Sequence, residues 1–232
     1  LLPGEAELGF HIPRTIFHNQ LAEFSVELKV IDRIVGLVSE AVLGRREQIQ
    51  LRQLSSSDPT VFIQTAVPVV VAVGAIITWL LDCLERTQRI RKLRQEAKET
   101  GHPEEGLKIF DKQVSDIISV EVNKRISELI DGGGKVRDSG RVNEIENGLR
   151  WAVDSLFARV ERGMTVEVRF IPPPKMEAES GAEPSADDEF SKLAEIRQSL
   201  TFPSSAGEPV RQLPPPVPPN QTSKKGGGEP RS

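Results

Sequence analysis

The chain has 232 residues, a formal net charge of −4 and 28% charged residues, a balance that argues against a nucleic-acid binder working through bulk positive charge. Aromatics make up 5% with no tyrosine, which leaves little material for base-stacking platforms. The single cysteine, Cys83, excludes a scaffold stapled by internal disulfides. Beside an uncharged run it reads as a small packed side chain, with membrane-proximal acylation as the second reading. Leu1 in place of Met reads as the start of a fragment or processed product, so the absence of a signal sequence carries no weight.

In chain order, Glu7 to Ile12 alternates Leu8, Phe10 and Ile12 against Glu7, Gly9 and His11, the period of a half-buried strand, and Pro13 ends it. A second such run, Met164, Val166, Val168 and Phe170, precedes Pro172-Pro173-Pro174. A lone strand leaves backbone groups unpaired on both edges, so strands 7–12 and 164–171 are expected to pair as a two-stranded ribbon closing the folded part.

From Thr15 the period changes. Phe17, Leu21, Phe24, Leu28, Ile31, Val35, Val38 and Val42 follow at spacings of 4, 3, 4, 3, 4, 3 and 4, the seam of a coiled coil or antiparallel bundle. This predicts one helix over 15–43, with Glu23, Glu27, Lys29, Asp32, Arg33 and Glu40 on its solvated side and Gly44 as a left-handed cap. Val30, Ile34 and Leu37 widen the stripe and favour burial in a bundle. Arg45 to Ser57 is polar and mildly basic, and Ser57 or Asp58 ahead of Pro59 reads as a helix start.

The uncharged stretch Thr60 to Leu81 is long enough to cross a hydrocarbon core about 30 Å thick. It is expected to continue as one helix over 60–99, with Pro68 kinking it or resetting its start a turn later, and Gly101 and Pro103 ending it. Arg86, Arg89, Arg91, Lys92 and Arg94, with Lys98, make its second half basic. They read either as a solvated face or as a juxtamembrane segment on anionic lipid, at around 1 kcal/mol per cation. A nucleic-acid groove helix is a weaker reading, since no docking motif accompanies the charge.

A further helix is expected over 107–131, with Phe110, Val114, Ile117, Ile118, Val122, Ile126 and Leu129 inward. Gly132-Gly133-Gly134-Lys135 ends it as a flexible turn, since a phosphate loop requires other spacing and a hydroxyl residue after the lysine. The last folded helix, 139–162, carries Val142, Ile145, Leu149, Ala152, Leu156 and Val160. Beyond Pro172 the composition is acidic and then proline-rich, as disordered segments are. Inside it Phe190, Leu193, Ile196 and Leu200 stand at helical spacing and read either as a segment that docks weakly or not at all, or as a helix that orders on a partner's groove, while Pro214 to Pro219 reads as a polyproline spacer.

The three histidines, His11, His18 and His102, have no partner at metal-ligand spacing, and no nucleophile elbow or dinucleotide fingerprint is present. The sequence therefore reads as non-enzymatic, with no cofactor. The expected fold class is mostly α, a long-helix antiparallel bundle with a minor β-ribbon, a folded part over 1–171 and a disordered tail over 172–232. The apolar run is either a single transmembrane helix with the C-terminal side cytoplasmic, or a buried core helix of a cytoplasmic protein. Its expected partners are a second copy or another helical protein, with anionic lipid in the membrane reading and nucleic acid disfavoured.

Overall fold

In the computed structural model, which describes residues 1–55, 59–133, 139–174 and 186–202, the chain is mostly helical with one small antiparallel sheet. The order is β1 (Ala6–His11), α1 (Arg14–Phe17), α2 (Leu21–Leu43), β2 (Gln50–Leu54), β3 (Thr60–Gln64), α3 (Val67–Glu99), α4 (Glu104–Gly133), α5 (Ser139–Glu161), β4 (Thr165–Phe170) and α6 (Ala186–Ser199).

The expected pairing of the two terminal strands is present. β1 and β4 run antiparallel with Leu8 opposite Val168 and Phe10 opposite Val166. The ribbon is, however, half of a four-stranded sheet of order β2-β3-β1-β4. The two additional strands come from segments read as loop and as helix. Thr60–Gln64, the beginning of the uncharged stretch, is β3: its β-branched and aromatic residues Thr60, Val61, Phe62 and Ile63 fit a pleated sheet. The helix therefore starts at Val67, with Pro68 in its first turn, where the missing N–H is not needed.

One face of the sheet, built by Ala6, Leu8, Phe10, Val61, Ile63, Val166 and Val168, belongs to the main core. On the other face Phe62 lies over Gly9 under the Arg169 guanidinium, 3.9 Å from the ring centroid. A Cβ at position 9 would stand 2.5 Å from the Phe62 ring and 2.7 Å from Glu167 Cγ, so only glycine lets this stack close.

The predicted seam helix is broken. His18 and Asn19 take left-handed conformations, φ 49° and 59°, separating α1 from α2. Apolar spacing continues across the break because Phe17 still packs against Phe24, at 5.1 Å between ring centroids. The C-terminal end is as expected: Gly44 has φ 74° and its N–H donates to Glu40 O at 3.0 Å. Ile31, Val35 and Val38 are buried, Phe24, Leu28 and Val42 are half-buried, and Leu21 is 82% exposed.

α3 is the axis of the molecule. From Val69 to Thr87 few of its side chains reach solvent, being covered by α2, α4, α5, the sheet and α6. α5 crosses α2 closely at Gly148, where a Cβ would come within 2.7 Å of Leu37 Cδ2. On α4, Leu107, Val114, Val122 and Ile126 are buried, while the side chains of Ile117 and Ile118 fall outside the described set. Within the segment expected to be disordered, Ala186–Ser199 is a helix packed on α3 and β4. The Gly134–Lys135 turn, residues 175–185 and the polyproline run lie outside the described residues.

Candidate interaction surfaces

Among the described residues the buried charged groups are paired. Glu27, placed by periodicity on the solvated side of α2, is 5% exposed and takes both prongs of Arg159 from α5: Arg159 Nε donates to Oε2 at 2.6 Å and Nη2 to Oε1 at 3.0 Å. The third guanidinium nitrogen donates to Ser155 O at 3.1 Å, so every arm of this arginine is used. Arg91 of α3 donates to the buried Glu161 of α5 at 3.1 Å. These pairs fix how α5 sits against α2 and α3.

The Cys83 thiol is 1% exposed, and burial, followed by the Glu121 charge, pushes it up to about 11. It is a packed side chain. His11 Nδ1 lies 3.3 Å from Thr60 Oγ1 and His18 Nδ1 lies 2.9 Å from Glu23 Oε2, each within local sheet or helix-entry structure. Among the described residues no group of three or more His, Cys, Asp or Glu side chains is placed to hold a metal ion.

The basic segment is divided by its partners. Arg86 faces Glu121 of α4 at 4.0 Å, Arg89 pairs with Glu85 one turn earlier at 2.5 Å, and Arg91 turns inward to Glu161. Arg94 is half-buried and Lys92 is exposed. The five cations therefore do not form a single outward stripe.

Two surfaces stand out instead. The first joins the start of α2 to the sheet edge. A cavity of about 240 Å³ is lined by Phe17, Leu21, Phe24, Leu54 and Pro59, with Arg14 and Asn19 at its rim. The edge strand β2 carries a bulge between Leu51 and Gln53, which sets Leu51 opposite Ile63 and Leu54 opposite Val61. Directly opposed residues share a face, so both leucines lie on the sheet's apolar side, beyond the reach of the helices. Leu51 is 62% and Leu54 51% exposed. Sequence reading missed this strand because Gln50 to Leu54 has only two apolar residues, at a spacing that a regular strand would put on opposite faces.

The second is the seat of α6, where the four tail residues singled out by spacing are brought together. Phe190 is 6% exposed with its ring 5.9 Å from that of Phe170, and Leu193 is fully buried. Ile196 rests on Gly74 of α3, Leu200 packs at the end, and Arg197 lies 5.0 Å over the Phe170 ring. The groove expected on a partner is supplied by this chain itself.

No family model matches this sequence, and comparisons with curated proteins and with solved structures give no significant match.

Proposed function

We propose that this chain is a non-enzymatic assembly module in which α3 is the buried core and the face formed by α1, the start of α2 and the β2 edge contacts a second copy of the chain. The observation that carries the reading is an open apolar cavity lined by the exposed Leu21 and Leu54, beside the outer edge of β2, on which Leu51 is also exposed. Isolated exposed leucines are ordinary, but a pair lining one concavity next to free backbone donors and acceptors makes a surface that gains from being covered. Another helical protein is the alternative occupant of this face.

A second reading has its own support. α3 is long and apolar enough to cross a membrane, with a mean hydropathy of 2.2 in its most apolar stretch, although 67% of that stretch is buried as in a soluble core helix. In that reading the chain is a single-pass adaptor, with the basic segment on anionic lipid at the cytoplasmic side. Cover of most of the apolar stretch of α3 by other elements favours the core helix, because a span would have to shed those contacts.

Alkaline washing of membranes from cells expressing the full chain separates the two. Release without detergent, followed by mass growth with concentration in light scattering that Leu21→Asp with Leu54→Asp reduces, is the expected result. Retention until detergent is added would overturn the assembly reading in favour of the span.

A further inference from the structure

We infer that the seat on α3 and β4 is an exchangeable helix-binding groove, and that its second occupant is the α6 of another copy of this chain. The inference uses a surface separate from the α2–β2 face and does not depend on it.

The groove is shaped for this helix. The three atoms nearest to a Cβ built on Gly74 all belong to the Ile196 side chain, the first at 2.7 Å, so the glycine is a notch that Ile196 fills. Phe190 meets Phe170, Leu193 is fully enclosed, and Thr78 Oγ1 and Ser199 Oγ lie within hydrogen-bond distance at 3.3 Å. Any second copy carries the matching ligand for these features.

α6 is also a separable element. It has 14 residues, a length at which an isolated helix is marginal in water, so it is helical because it is docked. Residues 171–185 join it to β4, and a chain of that length spans up to roughly 50 Å. Docking on its own groove is favoured by the high effective concentration that such a tether imposes. Exchange with a second copy remakes every contact of the groove, so the only opposing term is association, which rising concentration offsets.

The test uses complementary lesions in the full chain, each carrying Leu21→Asp with Leu54→Asp to silence the other surface. Gly74→Leu fills the notch and blocks that copy's groove, while its α6 stays intact. Leu193→Asp disables that copy's α6, while its groove stays open. Each variant alone is expected to be monomeric, and an equimolar mixture is expected to yield a heterodimer of twice the mass by light scattering. A mixture that stays monomeric while both variants keep their helical circular dichroism overturns the inference. Should either variant fail to fold, a fluorescent peptide of residues 186–202 titrated into the native chain gives the answer: rising anisotropy supports exchange, and none up to millimolar protein overturns it. Equal binding by an amphipathic peptide of the same apolar spacing but unrelated sequence would also overturn it, since the groove would then be open to any partner helix.

Discussion

The two halves of α3 share one continuous backbone and differ in everything around it. From Val69 to Thr87 the helix is enclosed, with Val69, Val70, Val73, Ile77 and Leu80 fully buried. From Gln88 to Glu99 it is wet or half-wet, Leu93 is 54% exposed, and Arg89 is held by Glu85 on α3 itself and Arg91 by Glu161 on α5. Between Val69 and Leu81 the enclosed half carries no charged residue because neighbours surround it. A helix of a simple four-helix bundle keeps one face wet, and here the sheet and α6 occupy that side. An apolar run long enough for a bilayer is thus equally well satisfied by a fifth helix and a sheet.

The sharpest way to break this contrast is to charge the enclosed half. Val73→Asp would bury a carboxylate with no partner, and the expected cost is at least about 4 kcal/mol, enough to abolish cooperative unfolding in a marginal domain. Urea titration followed by circular dichroism measures it. A Val73→Asp chain of native stability would show that this half is not enclosed.

How far the sequence reveals this arrangement depends on which interactions are local. Gly44 as a left-handed cap and the β1–β4 pairing were legible, since a cap is a property of one residue and the alternation of Leu8, Phe10 and Val166, Val168 is intact. The division of the uncharged stretch at Ala66 was not, because Val, Ile and Phe suit a buried strand and a buried helix alike; Pro68, compatible with a first turn, was the available clue. Glu27 fell on the polar side by period alone, and only the long-range partner Arg159 on α5 accounts for its burial. The spacing of Phe190, Leu193 and Ile196 identified the docking residues of α6 but not the groove, which is assembled from α3 and β4. For the α2–β2 surface, Leu21 was read as seam. Its exposure follows from the left-handed pair His18-Asn19, which starts a new helix at that residue.

The Glu27–Arg159 pair extends the contrast from apolar to charged burial. Glu27→Ala leaves a guanidinium buried without its carboxylate, and the expected loss is about 3–5 kcal/mol. Glu27→Met combined with Arg159→Met removes both charges at similar volume and is expected to lose far less, because no unpaired charge remains. Equal losses in single and double variants would mean that packing, not pairing, carries the contact.

Cys83 reports on the enclosed half without a mutation. Its thiol stands at about 11 in the fold against 9.0 for an open chain, so at pH 8 the thiolate fraction is about a hundredfold lower, before any steric shielding. Alkylation of the native chain at pH 8 is expected to be slow and to accelerate on adding urea. The sign for stability follows: the unfolded thiol ionises first as pH rises through 9, so this group's contribution is intact below pH 9 and declines as pH approaches 11. Rapid alkylation of the folded chain would place the enclosed half in contact with solvent.

The smallest effects belong to the wet half, and there smallness is itself the prediction. Leu93→Asp replaces a side chain that is 54% exposed, and Arg89→Ala removes an exposed pair to Glu85 on the same helix. Surface changes of this kind move stability by within about 0.5 kcal/mol, and an exposed ion pair one turn apart contributes about 0.3–0.5 kcal/mol that salt screens. Both variants are therefore expected to unfold near the native midpoint, with the Arg89→Ala difference vanishing at high ionic strength. A loss from Leu93→Asp comparable with that from Val73→Asp would mean that residues 88–99 are covered in solution by a further surface, and the division of α3 into an enclosed and a wet half would fall.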